Sequence, residues 1–124
     1  PLIHIHGTRD KLQKYNHSDG DFLSTIESVN YWAKYNQLDI KVVENIEDIH
    51  KKDGTTVEKH SYSKNNSNTQ VIHFKVVKGG HLWLGSPIAD WLTLRLFFGR
   101  NSHEINSSKE IVDFFLKYKL SDFN

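Results

Sequence analysis

Two short motifs in this chain carry residue types suited to proton transfer: His6-Gly7-Thr8-Arg9-Asp10 near the start and Gly79-Gly80-His81-Leu82-Trp83-Leu84-Gly85 in the middle. Each follows a strand-like apolar run, and each sets one ionisable residue at the turn where a strand would end. A neutral imidazole, with an ordinary pKa of about 6.5, can take a proton from a hydroxyl near neutral pH and return it to a leaving group. His81 follows two glycines, whose backbone freedom lets the chain turn sharply and aim the ring off the strand end. Asp10 is its natural partner. A carboxylate that accepts the Nδ1 proton fixes the imidazole tautomer and stabilises the imidazolium formed during attack. Alone, either residue reads as an ordinary loop histidine or turn aspartate; their shared position at strand ends favours the paired role. The third element is missing, because no serine here stands in a Gly-x-Ser-x-Gly turn.

Other residues invite weaker readings. His4 and His6 form a His-x-His pair on one strand face, a spacing that can hold a divalent metal such as zinc. Two ligands fall short of the three that catalytic zinc sites use, and no carboxylate or histidine set completes the shell, so packing and hydrogen bonding beneath the Asp10 turn is preferred. His17, His50, His60, His73 and His103 have no organised context and are assigned to the surface or to sheet faces. Trp83, two residues past His81, is a candidate wall of a substrate pocket; Trp32 and Trp91 are assigned to the core.

Composition narrows the field. In 124 residues, 37% hydrophobic and 12% aromatic content suffice for one modest core. Sixteen basic against 15 acidic residues leave no cationic footprint for nucleic acid or anionic lipid. No apolar run approaches the roughly 18 residues that span a bilayer. With no cysteine, the chain has no disulfide, no thiolate metal site and no cysteine nucleophile.

The elements that must position the two motifs can be read from periodicity. Leu2 to Ile5 reads as a short buried strand closed by Gly7-Thr8. Ser24 to Tyr35 carries Ile26, Val29, Trp32 and Ala33 on a helical stripe, with Ser24 and Glu27 as a capping box. Asp39 to His50 reads as an extended edge segment, and Asp53-Gly54 as a turn. Thr55 to Ser63 and Thr69 to Lys78 read as a hairpin across Lys64 to Asn68. A helical turn is expected around Ala89 to Leu94. A last helix is expected after a Ser107–Glu110 capping box, burying Ile111, Phe114, Phe115 and Tyr118. There is no internal repeat and no linker. A strand–helix–hairpin–helix order fits the end of an α/β sheet.

At these residues the chain resembles the polyhydroxybutyrate depolymerase / feruloyl esterase family of α/β-hydrolases, whose triads run Ser, acid, His in chain order. That family carries its acid in a His-Gly-Thr-x-Asp turn and its histidine in a Gly-Gly-His-x-Trp-Pro-Gly turn, and Asp10 and His81 match those positions. Tyr31 to Asn36 resembles the family's Trp-containing helix, and Asn106 to Phe115 its final helix. Leu84 replaces the usual proline, which leaves the turn after Trp83 less rigid. No cysteine follows the Trp32 helix, where many relatives have one. The likeness covers most of this chain but only the C-terminal half of the family's domain.

The resemblance implies an α/β fold in which residues 1–124 form the C-terminal portion of a hydrolase sheet, with flanking helices and a β-hairpin. It implies two-step acyl transfer on an ester substrate, either a polyester or an acylated plant polysaccharide, with no cofactor and a secreted or periplasmic location. The nucleophile and oxyanion hole would lie in an N-terminal half upstream of Pro1. A chain that opens inside a strand and holds no Met is read in the same way, as a fragment. Two alternatives stand beside this reading: a non-catalytic carbohydrate-binding or interaction module, in which Asp10 and His81 are apart, and a metal-dependent hydrolase using His4 and His6.

Overall fold

A computed structural model describes residues 1–18, 21–119 and 121. Among them the chain forms a four-stranded mixed sheet and three α-helices. Strand β1 (Leu2–Gly7) leads through a loop to helix α1 (Thr25–Tyr35). Strands β2 (Ile40–Asn45), β3 (Thr56–Ser63) and β4 (Val71–Val77) follow. A 3-10 turn (Pro87–Asp90), helix α2 (Leu92–Phe98) and helix α3 (Ser107–Phe115) complete the fold. None of the described helices is long and apolar enough to cross a membrane.

The strand order is β1-β4-β3-β2. β1 runs parallel to β4, with His4 opposite His73 and Gly7 opposite Val76. β3 is antiparallel to both of its neighbours. The parallel pairing requires a long crossover, and α1 with the β2–β3 ribbon supplies it. β4 is an interior strand buried on both faces: Ile72, Phe74 and Val76 make one face apolar, whereas the other carries His73 and Lys75 beside Val71. Val71 packs with Val29 and Ala33 of α1, Leu38 and Tyr62 on one face. Ile72, Phe74 and Val76 pack on the other with Val57, Leu84, Ile105 and Phe114 of α3. Fully burying a valine such as Val29 or Val76 contributes roughly 1.5–3 kcal/mol.

Local chemistry sets the helix ends. Ser24 and Glu27 form the expected capping box, the Ser24 amide donating to the Glu27 carboxylate at 2.8 Å. The second box does not form. Asn106 is the N-cap, its side chain accepting from the Lys109 amide at 3.0 Å, and the buried Ser107 donates its amide to Leu84 O. Of the expected stripe, Phe114 is buried and Ile111 and Tyr118 are partly buried, whereas Phe115 is 52% exposed. In α1 the buried row is Thr25, Val29 and Ala33, so Trp32 sits on its shoulder, 42% exposed, against Tyr31 and Tyr35. Trp91 is also outside the core, at 65% exposure, because it is an extended joint between the 3-10 turn and α2.

The two glycine-bearing turns meet at the carboxyl ends of β1 and β4. Neither Gly79 nor Gly80 takes a left-handed conformation; Lys78 does, with φ 62°. The glycines are needed for space instead. A Cβ on Gly7 would collide with the Gly79 and Gly80 carbonyls, and one on Gly80 with the Phe98 carbonyl. Gly7→Ala is therefore expected to lower the free energy of unfolding by roughly 1–3 kcal/mol, the usual cost of forcing atoms into a filled site. Lys78→Gly is expected to raise it by up to about 1 kcal/mol, since a glycine relieves left-handed strain. Urea unfolding of both variants reads the opposite signs; equal losses would contradict this account of the turn.

Candidate functional site

The turn that carries Asp10 is tied to the turn that carries His81 by backbone. The Thr8 amide donates to Val76 O and the Arg9 amide to Gly79 O, both at 2.9 Å. The Thr8 hydroxyl accepts from the Lys78 amide at 2.8 Å. On the far side, the Gly80 amide donates to Arg100 O and the His81 amide to Phe98 O, at 2.9 and 2.7 Å. The main chain beneath the site thus leaves neither motif free to drift.

Asp10 is buried, and both of its carboxylate oxygens have donors. Oδ1 accepts from the Leu12 and Gln13 amides, each at 2.9 Å. Oδ2 accepts from His81 Nδ1 at 2.7 Å. Burial pushes this carboxyl up, but the Gln13 amide, His81 and the Leu12 amide outweigh it and hold the pKa below the usual value. His81 is half exposed; with its Nδ1 proton donated to Asp10, Nε2 makes no hydrogen bond among the described residues. That is the disposition a general base requires.

Trp83 stands beside the pair, 57% exposed, with its indole N–H donating to Ser108 Oγ at 2.9 Å. It lines a cleft of about 310 Å³ with Asp10, His81, Ile5 and Leu84. Leu84 is buried in the core, and Gly85 next to it, at φ 74°, donates its amide to Ser102 O. Burial and this bond fix the turn after Trp83. Among the described residues no serine hydrogen-bonds His81.

His4 and His6 share the sheet face under α1, with rings 5.7 Å apart. His6 Nδ1 accepts from Thr25 Oγ1 at 2.5 Å. Its Nε2–H donates to Gln13 O at 2.8 Å and lies 3.2 Å from Asp10 Oδ2. Both nitrogens of His6 are therefore engaged, and it serves as a second neighbour of the Asp10 oxygen that accepts the His81 hydrogen bond. No group of three ligating side chains suited to a metal forms among the described residues.

The sequence reading missed a polar cluster behind the site. His73, assigned to the surface or a sheet face, is fully buried in β4. Its Nδ1 faces His4 O at 3.3 Å, leaving Nε2 to accept from the Tyr15 hydroxyl at 2.8 Å. His60 is also buried, with its ring 5.7 Å from that of His73 and Nε2 3.0 Å from Glu58. Burial, followed by Glu58 and Tyr62, pushes the Tyr15 hydroxyl up to about 12. The only sequence signal was the placement of His73 among the apolar residues of a central strand. Its pairing with His4 depends on register, and Tyr15 comes from a loop. His103 meets Asp90 at 3.0 Å, whereas His17 and His50 are exposed as expected.

Comparison with protein-family models, with curated proteins and with solved structures found no match to this chain.

The buried histidine sets a pH dependence. Burial first, and then His4, pushes His73 down to about 3, whereas an unfolded histidine titrates near 6.5. Between those values the unfolded chain binds a proton that the folded chain refuses. Stability should therefore be fullest above about pH 6.5 and fall as the pH drops towards 3, by up to about 1.4 kcal/mol per unit from this group. Asp10, with its lowered pKa, adds a loss of the same sign once the pH enters the carboxylate range. Urea unfolding at stepped pH measures the slope. A free energy that stays level from pH 7 to pH 5 would contradict a buried neutral His73.

Proposed function

We propose that this chain supplies the acid and the base of a serine carboxylic ester hydrolase of the polyhydroxybutyrate depolymerase / feruloyl esterase type. The observation that carries this reading is the 2.7 Å hydrogen bond from His81 Nδ1 to a buried, ionised Asp10. Two supports stand beside it. Acid and base sit at the carboxyl ends of adjacent parallel strands, and Trp83 borders the cleft into which both open.

In the proposed reaction a serine outside these 124 residues attacks the ester carbonyl. His81 Nε2 takes its proton while Asp10 holds the ring and balances the imidazolium. His81 then gives the proton to the leaving alcohol. Water repeats the sequence on the acyl-enzyme, with amides of the same outside segment steadying the oxyanion. Among the described residues β1 is an edge strand with one side unpaired, which would provide a seam for further strands of a hydrolase sheet. The acyl donor would be a polyester or an acylated plant polysaccharide, met outside the cytoplasm.

The binding-module reading draws on Trp83 and on the exposed Tyr31, Trp32 and Tyr35, whose rings touch one another on α1. It expects Asp10 and His81 to be apart, and they are hydrogen-bonded. A metal on His4 and His6 would have to displace the bonds that already occupy both nitrogens of His6.

Kinetics on one aryl ester decides between these readings. The 124-residue chain alone should give no turnover above a His81→Ala control. In a protein that carries the whole sheet, His81→Ala should cost several orders of magnitude, because triad members act as a unit. Asp10→Asn should cost about 10⁴-fold, as the same exchange does in a serine-protease triad. A chelator should change nothing. Activity that survives His81→Ala but is lost to a chelator would overturn the assignment.

A further inference from the structure

A second cavity lies apart from the Asp10–His81 cleft. It encloses about 510 Å³, within the range of small-molecule sites, and opens between the connection from β2 to β3 and the segment 89–103. The Phe98–Arg100 backbone separates it from His81, whose amide is bonded to Phe98 O. It also lies at the β2–β3 side of the sheet, away from the open edge of β1.

Its charge is uneven. Lys51, Lys52, Arg95 and Arg100 face two carboxylates, Asp53 and Asp90. Both carboxylates are engaged within the wall. Asp53 Oδ1 accepts from the Thr55 amide and hydroxyl, each at 2.7 Å, and Oδ2 accepts from the His103 amide at 3.0 Å. Asp90 Oδ1 accepts from Asn101 Nδ2 and His103 Nε2, at 3.1 and 3.0 Å. Arg100 is held by Nη1, which donates to Gly54 O at 3.1 Å. Glu104 fixes the approach to the loop by accepting from the Ile49 and His50 amides. The remaining cations, Arg95, Lys51 and Lys52, make no ion pair among the described residues. Like charges gathered around a concave low-dielectric wall repel one another and focus a positive potential into the cavity.

We propose that this cavity is a binding site for a small organic anion whose carboxylate or phosphate group sits between Arg95 and Arg100. Planar guanidinium groups match both oxyanions in paired hydrogen bonds, and the lysines add charge without fixed geometry. The anion offsets the repulsion that the wall otherwise carries. His50 and His103, with rings 5.7 Å apart on the same wall, are built-in reporters of occupancy. The site stands independently of the esterase reading, because among the described residues none of its side chains hydrogen-bonds Asp10 or His81.

The test is a titration of the purified protein at constant ionic strength, with inorganic phosphate in one arm and malonate in the other, following the His50 and His103 ring protons by NMR. We expect saturable shifts at these two histidines, with the His81 resonance unmoved. Saturation by phosphate alone identifies a phosphate ligand, and by malonate alone a carboxylate ligand; saturation by both supports a site that reads the shared oxyanion. Arg95→Gln, at an exposed side chain with no hydrogen bond to lose, should weaken binding by about tenfold or more, the loss of one charge-assisted pair. Trp83→Ala should leave it unchanged. A melting temperature shared by wild type and Arg95→Gln excludes misfolding as the cause. Shifts that only track concentration without saturating, or saturable shifts that Arg95→Gln leaves intact, would overturn the proposal.

Discussion

The constraint on which the site depends is backbone against backbone where Gly7 passes Gly79 and Gly80. With no Cβ at any of the three, the carboxyl ends of β1 and β4 come into main-chain contact beyond the last paired residues, Gly7 and Val76. The Arg9–Gly79 and Thr8–Val76 bonds follow from that approach, and so does the distance between the residues that come next in each chain. Asp10 and His81 need no long side chains to find each other, because the strands have already brought their backbones together. A methyl group here would spread the two turns, and the 2.7 Å bond would be among the first contacts to lengthen.

A second constraint is electrostatic. A carboxylate taken out of water is costly unless its oxygens are satisfied. Asp10 meets this with two amides from its own turn on Oδ1 and with His81 on Oδ2. The loop just past the acid thus closes back on it, and the charge is kept by local backbone as much as by its imidazole partner. Behind it, His6, His4, His73 and Tyr15 form a polar layer within an otherwise apolar fold, each with a named partner. Such a layer favours one arrangement, since a slip of register would strand several buried polar atoms at once. It also carries a cost. His73 is compatible with the fold only as a neutral ring, which links the scaffold behind the site to pH.

Much of the scaffold was legible because it rests on local chemistry. The Ser24–Glu27 box, the hairpin around Lys64 to Asn68 and the strand before each motif are encoded by neighbours in sequence. The Asp10–His81 contact was readable for a different reason: both residues stand at a fixed offset from a strand end. What escaped the reading depends on register or on competition between near-equal candidates. Nothing local says that His4 lies opposite His73, or that Tyr15 turns inward from a loop to meet it. Asn106 and Ser107 are both good caps, and the Ser107 amide is claimed by Leu84 O, a partner distant in sequence. Trp32 was assigned to the core from its place on the helical stripe and Trp91 by type, but one flanks the buried row of α1 and the other joins two short helices. The cavity lined by Arg95 and Arg100 is assembled from two distant segments, so no motif marked it.

The two members of the pair are anchored unequally. Asp10 is held by the end of β1, by the amides of its own exposed turn and by the polar layer beneath. The base depends on a different support, since the His81 amide is bonded to the last carbonyl of α2, a helix that buries none of its residues. Leu92, Leu96 and Phe97 of that helix are all more than half exposed. Helices with few buried contacts open at lower free energy than the core they flank. The acid is therefore held from the sheet side alone, whereas the base is tied to the sheet through Gly79 and Gly80 and, on its far side, to the exposed helix α2. A partner element that covers Leu92, Leu96 and Phe97 would tighten the support of His81 without touching the imidazole.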